Sequence, residues 1–136
     1  MLVVDASAVV ELLLGRPAGA VVAETLASHG YDLHAPHLLD VEVLSALRRV
    51  VAAGDATPAR ADAAVADLLA LPIERYEHAL LVPRVWQLRD GFSAYDAAYV
   101  ALAEALAAEP VPLLTADARL ARSLQAQTGV PVIVAA

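Results

Sequence analysis

The chain predicts an α/β fold in which a parallel sheet is covered by helices on both faces. Three observations point there. Short apolar runs alternate with longer helical stretches along the whole sequence. The runs are continuously apolar, which marks strands buried on both sides. Acidic residues follow two of the runs, at Asp5 and Asp117, and sheets of this kind bind ligands beyond the carboxyl ends of their strands.

Leu2-Val3-Val4 reads as the first strand, ended by Asp5. Ala8 to Leu14 forms a helix that Gly15-Arg16-Pro17 stops. Pro17 opens a second helix, to about Ser28, closed by His29-Gly30. Leu33-His34-Ala35 is the next strand, limited by Pro36. A long helix runs from Leu38 to Ala53, with Gly54 as its C-terminal stop. Thr57 is a good cap and proline suits the first helical position, so Pro58 to Leu71 is helical. Pro72 to Arg75 is a weak third strand. Glu77 to Arg89 is helical, with a kink or a restart at Pro83. After the Asp90-Gly91-Phe92 turn, Ser93 to Ala108 is the clearest helix. Val111 to Leu114, Ala116 to Gln127 and Val132 to Val134 then read as strand, helix and strand. No linker, repeat or low-complexity tract interrupts them. Residues 1–136 are therefore expected to form one domain, burying roughly two thirds of its unfolded surface.

Composition narrows the function. There is no cysteine, so no disulfide framework and no thiolate metal site. The N-terminus lacks a signal peptide's basic stretch, and no apolar run reaches the ~18 residues of a membrane span. A soluble, cytoplasmic protein is expected. The formal charge is −7 and every cation is an arginine. Such a chain does not attract nucleic acid at long range. Any contact with nucleic acid must be local, through arginines and a bridging metal. The planar arginine fork suits phosphate.

Four acids, Asp5, Glu42, Asp96 and Asp117, carry the chemistry. Asp5 reads either as a helix cap or, because Ser7 can cap equally well, as a free carboxylate. Glu42 shares a helical stripe with Leu38, Leu39, Ser45 and Ala46. A carboxylate there is costly unless paired or metal-bound, and the bland alternative is an ion pair with Arg49. Asp40 points elsewhere and reads as solvated. Ser93-Ala94-Tyr95-Asp96 has the form of a capping box, a role compatible with facing a cleft. Asp117 reads as a first-turn carboxylate behind a Thr115 cap. Ser7 and Thr115 stand two residues from Asp5 and Asp117 and are plausible orienting partners. A carboxylate cluster assembled from distant positions suits a hard divalent cation, and such a cation typically acts on phosphate.

Four segments carry a resemblance: Val3-Val4-Asp5-Ala6-Ser7; Ala35-Pro36 leading to Glu42-Val43 and Ala46-Leu47-Arg48; Ser93-Ala94-Tyr95-Asp96-Ala97-Ala98-Tyr99 onward to Ala103; and Leu113-Leu114-Thr115-Ala116-Asp117-Ala118-Arg119-Leu120-Ala121. In order, spacing and length the chain resembles the PIN-domain family, specifically the VapC-type ribonuclease toxins of type II toxin–antitoxin pairs. The resemblance covers essentially the whole chain. It implies a three-layer α/β/α sandwich with a five-stranded parallel sheet, and often a homodimer. It implies endonucleolytic cleavage of RNA, including structured RNA such as tRNA, dependent on Mg²⁺ with Mn²⁺ as a substitute. It also implies a cognate antitoxin that occludes the acidic site. On this reading Asp5 and Asp96 are the best ligands, and Asp117 and Glu42 complete the pocket directly or through water. A Mg²⁺-activated water attacks the phosphodiester, and Glu42 serves as ligand or as general base.

Arg16, Arg48, Arg49, Arg84, Arg89, Arg119 and Arg122 are candidates to hold substrate phosphates. Tyr95 could stack on a base, and His37, near Glu42, is the one histidine worth testing. Two other functions compete. A small phosphatase with Asp5 as nucleophile commonly needs an acid two positions on and a cleft lysine, but Ser7 stands there and lysine is absent. A non-catalytic partner-binding module would use the four acids only as helix caps.

Overall fold

A computed structural model describes Met1–Ala136. Five strands form one parallel sheet: β1 (Leu2–Val4), β2 (Leu33–Pro36), β3 (Ile73–Tyr76), β4 (Leu113–Thr115) and β5 (Val132–Val134). Their spatial order is β3-β2-β1-β4-β5. The chain therefore builds outward from β1 in one direction, then returns and builds the other way from β4. β1 and β4 flank the point where the order reverses. Val3 pairs with His34 on one side and Leu113 on the other.

Seven helices connect the strands: α1 (Ala6–Leu13), α2 (Gly19–Ser28), α3 (Leu38–Ala52), α4 (Pro58–Ala70), α5 (Val82–Gln87), α6 (Ala94–Ala105) and α7 (Ala118–Gln127). α1 packs on α2, α3 and α4, while α5 packs on α6 and α6 covers β1, β2 and β4. Right-handed crossovers in opposite directions along the sheet set these two groups on opposite faces. The three-layer sandwich expected from the sequence is the architecture observed. β1 is buried along its whole length, as are Leu113 and Leu114 of β4. α6 inserts Tyr99, Val100 and Leu102 into the same core.

Local chemistry sets the helix ends, and it moves several of them from their expected places. α1 starts at Ala6 rather than Ala8, because Asp5 is the cap and accepts from the Ala8 amide. Pro17 lies in a turn, so α2 starts at Gly19. Pro83 sits in the first turn of α5, a position that lacks an amide partner in any case. The expected helix from Glu77 is therefore a turn followed by a short helix from Val82: a restart, not a kink. α4 keeps its expected cap, Thr57 accepting from the Arg60 amide. Past the end of α3 lies Gly54, whose φ of +78° favours glycine, and there Asp55 N donates to Val50 O.

One close approach fixes α2 against α1. A Cβ on Gly19 would stand 2.6 Å from the Glu11 carbonyl oxygen, so backbone would have to move. Gly19→Ala is expected to cost about 1–3 kcal/mol through this clash. Gly129→Ala, with nothing within 4 Å of the added carbon, should stay within about 0.5 kcal/mol. Urea midpoints of the two variants check the contrast, and equal midpoints contradict it.

Candidate active site

Asp5 follows β1 directly, and its amide donates to Leu114 O, which ties it to β4. Its side chain is 5% exposed. Burial of a carboxylate is costly unless hydrogen bonds replace water, and here they do. Oδ1 accepts from Ser7 Oγ at 2.6 Å and from the Ala8 amide at 3.1 Å. Oδ2 accepts from Thr115 Oγ1 at 2.6 Å. Each hydroxyl has one proton, and Asp5 takes both. The 3.2 Å approach of Ser7 Oγ to Thr115 Oγ1 is thus a contact between two oxygens already committed to Asp5. The hydroxyls in turn accept: Ser7 Oγ from the Ala116 amide, Thr115 Oγ1 from the Asp117 amide. Ser7 thus holds Asp5 as expected, whereas Thr115, expected to orient Asp117, donates to Asp5 and meets Asp117 only at its backbone amide.

Asp117 is not a first-turn carboxylate behind a Thr115 cap. It is itself the cap of α7, with Oδ1 accepting from the amides of Arg119 and Leu120. Thr115 stays in β4 and is fully buried.

Asp96 enters from α6. Ser93 Oγ accepts from the Asp96 amide, but the reciprocal half of the expected capping box is absent. The Asp96 carboxylate is instead held by Arg119, Oδ2 accepting from Nη2 at 3.2 Å. The same Nη2 lies 3.5 Å from Asp117 Oδ2. Arg119 therefore sits between two of the acids. It is 67% exposed, and exposed pairs of this kind contribute little to stability.

Glu42 enters from α3. The alternative of an ion pair with Arg49 does not form; Arg49 donates to Ser45 Oγ. Tyr99 OH donates to Glu42 Oε1 at 2.6 Å. The Tyr99 side chain is 2% exposed, so this donor is fixed in the core. No role was assigned to Tyr99 from the sequence. The signal was its spacing: three residues after Asp96, it emerges on the same face of α6.

The four acids line one cleft of about 350 Å³, joined by Glu11, Arg16, Arg49, Ser7 and Tyr99. Other candidates lie elsewhere. Arg84 forms a bidentate pair with Glu104. Arg89 stacks on Trp86 at 4.5 Å, and both line an apolar groove that also contains Tyr95. Tyr95 is therefore away from the acids. His37 faces His78. Arg48 and Arg122 are exposed and line no part of the cleft. Asp40, expected to be solvated, is held bidentately by Arg75.

The cleft's electrostatics follow from crowding and burial. Burial pushes Asp5 up from 3.8 to about 6, against the pull of Ser7 and Thr115. Burial also raises Glu42; the Tyr99 hydrogen bond opposes this and the Asp96 charge adds to it. Burial, then the bond to Glu42, raises Tyr99 far above its ordinary range, so it stays a donor. An excess of carboxylate in one polar cleft is a donor set for a hard cation. Asp5 uses three of its roughly four lone-pair positions and keeps one. No three acids converge closely enough to enclose an ion by themselves. Mg²⁺ needs no such cage, since it keeps several waters and takes one or two carboxylates. The residues fit that mode of binding.

The raised Asp5 makes stability depend on pH. From about pH 4 to about pH 6 the unfolded chain has released this proton and the folded chain retains it. Stability should therefore fall as pH rises through that window, by up to about 3 kcal/mol, and then level off. In chelator, Asp5→Asn should remove this part of the slope. Superimposable pH profiles of wild type and variant, from urea melts, contradict it.

Known proteins resemble this chain over most of its length. The PIN domain family model matches residues 2–123. Ribonuclease VapC1 of Mycobacterium tuberculosis is 48% identical over 120 residues, 88% of this chain and 87% of its own. Ribonuclease VapC12 of the same organism is 45% identical over 123 residues, 90% of this chain and 92% of its own. Among solved structures, PAE2754 from Pyrobaculum aerophilum superposes with a TM-score of 0.70 at 23% identity, covering 96% of this chain and 81% of its own; it supports the fold alone. With the family match spanning nearly the whole sequence, and VapC ribonucleases at this identity, the chain belongs to the PIN-domain family.

Proposed function

We propose that this chain is a divalent-metal-dependent endoribonuclease, the toxin of a VapC-type toxin–antitoxin pair. The observation that carries the reading is the convergence of Asp5, Glu42, Asp96 and Asp117 on one cleft at the point where the strand order reverses. The names of its relatives supply the substrate class. Mg²⁺ is the proposed ion, with Mn²⁺ as substitute. Asp5 and Asp96 hold it, and Asp117 and Glu42 complete its surroundings directly or through water.

When bound, the ion activates water and offsets charge on the phosphate. The remaining work falls to the chain. Ser7 and Thr115 hold Asp5 in one orientation. Tyr99 occupies Glu42 Oε1 and so leaves Oε2 to accept the proton of the attacking water. Water oxygen bonds to phosphorus as one P–O ester bond breaks, and the departing oxygen takes a proton from solvent. The raised affinity of Glu42 for a proton suits a general base. Arg16 and Arg49, at the rim of the same cleft, pair with phosphate oxygens. Without metal the crowded acids repel, which favours partial protonation.

The same reading extends to partners. RNA, including structured RNA such as tRNA, is the substrate. A cognate antitoxin covers the acidic cleft, and two copies of the chain associate as a homodimer. No helix is long and apolar enough to cross a membrane.

Glu42→Gln should lower kcat by about 10²–10⁴ with the protein still folded. Tyr99→Phe should lower kcat about tenfold with KM unchanged. It should also move the acidic limb of the pH–rate profile upward, because the bond that lowers the Glu42 pKa is gone. Steady-state cleavage of a labelled RNA with Mn²⁺ tests both. Full activity of Glu42→Gln, or an unmoved limb in Tyr99→Phe, counts against these roles.

A further inference from the structure

A second cavity of about 280 Å³ opens beside the acidic cleft, between the α1–α2 turn, the end of α3 and the start of α4. Arg16 lines both, so the two are neighbours across its side chain. α3 runs from one to the other: Glu42, Ala46 and Arg49 face the cleft and Val50 the cavity. From Glu42 to Val50 the helix rises roughly 12 Å, a span that only an oligomeric ligand bridges.

Arg16, Arg48, Arg49, Arg60 and Arg122 hydrogen-bond no carboxylate, and of these Arg16, Arg49 and Arg60 lie along the cleft and this cavity. Arg75, Arg84 and Arg119 are hydrogen-bonded to carboxylates, and Arg89 lies on Trp86. Arg16 has only Glu11, at 3.7 Å. Arg49 donates to Ser45 Oγ. Arg60 donates Nη2 to the Leu13 carbonyl, at 2.5 Å. That bond fixes the guanidinium and leaves most of its five donors free. Asp55 also lines the cavity, yet it forms no ion pair with either arginine there. Thr57 Oγ1 accepts from the Arg60 amide and keeps its own proton to donate. In a chain of charge −7, Arg16, Arg49 and Arg60 thus form a track of cations without hydrogen-bonded carboxylates, leading out of the acidic cleft.

We propose that this cavity is a subsite for a backbone phosphate of the RNA, a few nucleotides from the bond that is cut, held by Arg16 and Arg60. The inference rests on the ribonuclease reading and adds Arg60 and its cavity to it. A planar guanidinium pairs phosphate oxygens bidentately. Two such groups at a fixed distance from the reaction centre would set how much RNA must lie on one side of the cut.

The test is RNA binding with Mn²⁺ in a Glu42→Gln background, read by anisotropy over a range of NaCl. The probes are a labelled dinucleotide and a labelled oligouridylate of about ten residues. Arg16→Gln and Arg60→Gln should each weaken the longer probe about tenfold and reduce its salt slope by about one. Arg60→Lys should retain most of the affinity. Ala56→Asp places a charge at the cavity wall without touching the Arg60–Leu13 bond, and should weaken the longer probe in the same way if Arg60→Gln fails to fold. Arg122→Gln is the control and should change nothing. Longer-probe affinities within about twofold of the parent and an unchanged slope, in Arg60→Gln or in Ala56→Asp, overturn the subsite. If RNA is still bound and cut by the wild type, only this inference falls. A wild type that neither binds nor cuts RNA overturns the ribonuclease reading and this one with it.

Discussion

The buried carboxylate of Asp5 organises this molecule. It sits at the seam where β1 and β4 part, and two hydroxyls donate to it at 2.6 Å. A carboxylate so enclosed tolerates burial only when its lone pairs are met, and every buried side-chain polar atom in the chain has a partner. The consequences spread outward. Capping by Asp5 fixes where α1 starts. Thr115 donates to Asp5 and accepts from the Asp117 amide, so the position of the second strand-end acid depends on the first. Ser7 accepts from Ala116 and closes the loop. One set of hydrogen bonds thereby registers two strand ends, two helix starts and two acids.

The other two acids are positioned by helix packing. Tyr99 is a core residue that also donates to Glu42, which links the α3 side of the cleft to α6 through the interior. Asp96, on the same helix, faces outward to Arg119. Five carboxylates, counting Glu11, line the cleft with Arg16 and Arg49. Such an excess favours a divalent cation, and only with that charge neutralised is an RNA phosphate welcome. The arginines then matter by placement. Those paired with Asp40 and Glu104 serve the fold, while Arg16 and Arg49 line the cleft itself, where the proposed function has phosphate arrive.

Much of this was legible beforehand. β1, β4 and β5 follow from short apolar runs, the pattern of strands inside a covered sheet, whereas β3, Ile73-Glu74-Arg75-Tyr76, is an edge strand with two charged residues and was legible only as a weak one. The four acids were visible because each departs from its local pattern, and the structure gathers them in one cleft. What escaped was decided by tertiary contact or by competition among near-equivalent groups. Ser7 and Asp5 could each cap α1, and burial of Asp5 between two hydroxyls settled it. Asp117 and Thr115 presented the same ambiguity at α7. Asp40 looked solvated because Arg75, its partner, comes from a strand 35 residues away. Tyr99 is core; its bond to Glu42 spans 57 residues and leaves no local trace beyond its spacing from Asp96. Arg84 and Arg89 are surface arginines with neighbours of their own, and sequence does not separate these from arginines at a cleft.

The most direct test is to treat total cellular RNA with the purified chain in Mg²⁺, in Mn²⁺ and in chelator, and to map new 5′ ends by sequencing. The account predicts discrete cuts that need the metal and vanish with Asp96→Asn, a change that leaves the fold intact because the native carboxylate accepts from Arg119 and from no backbone amide. Cuts that persist in chelator or in Asp96→Asn would contradict it. So would their complete absence with a well-folded sample.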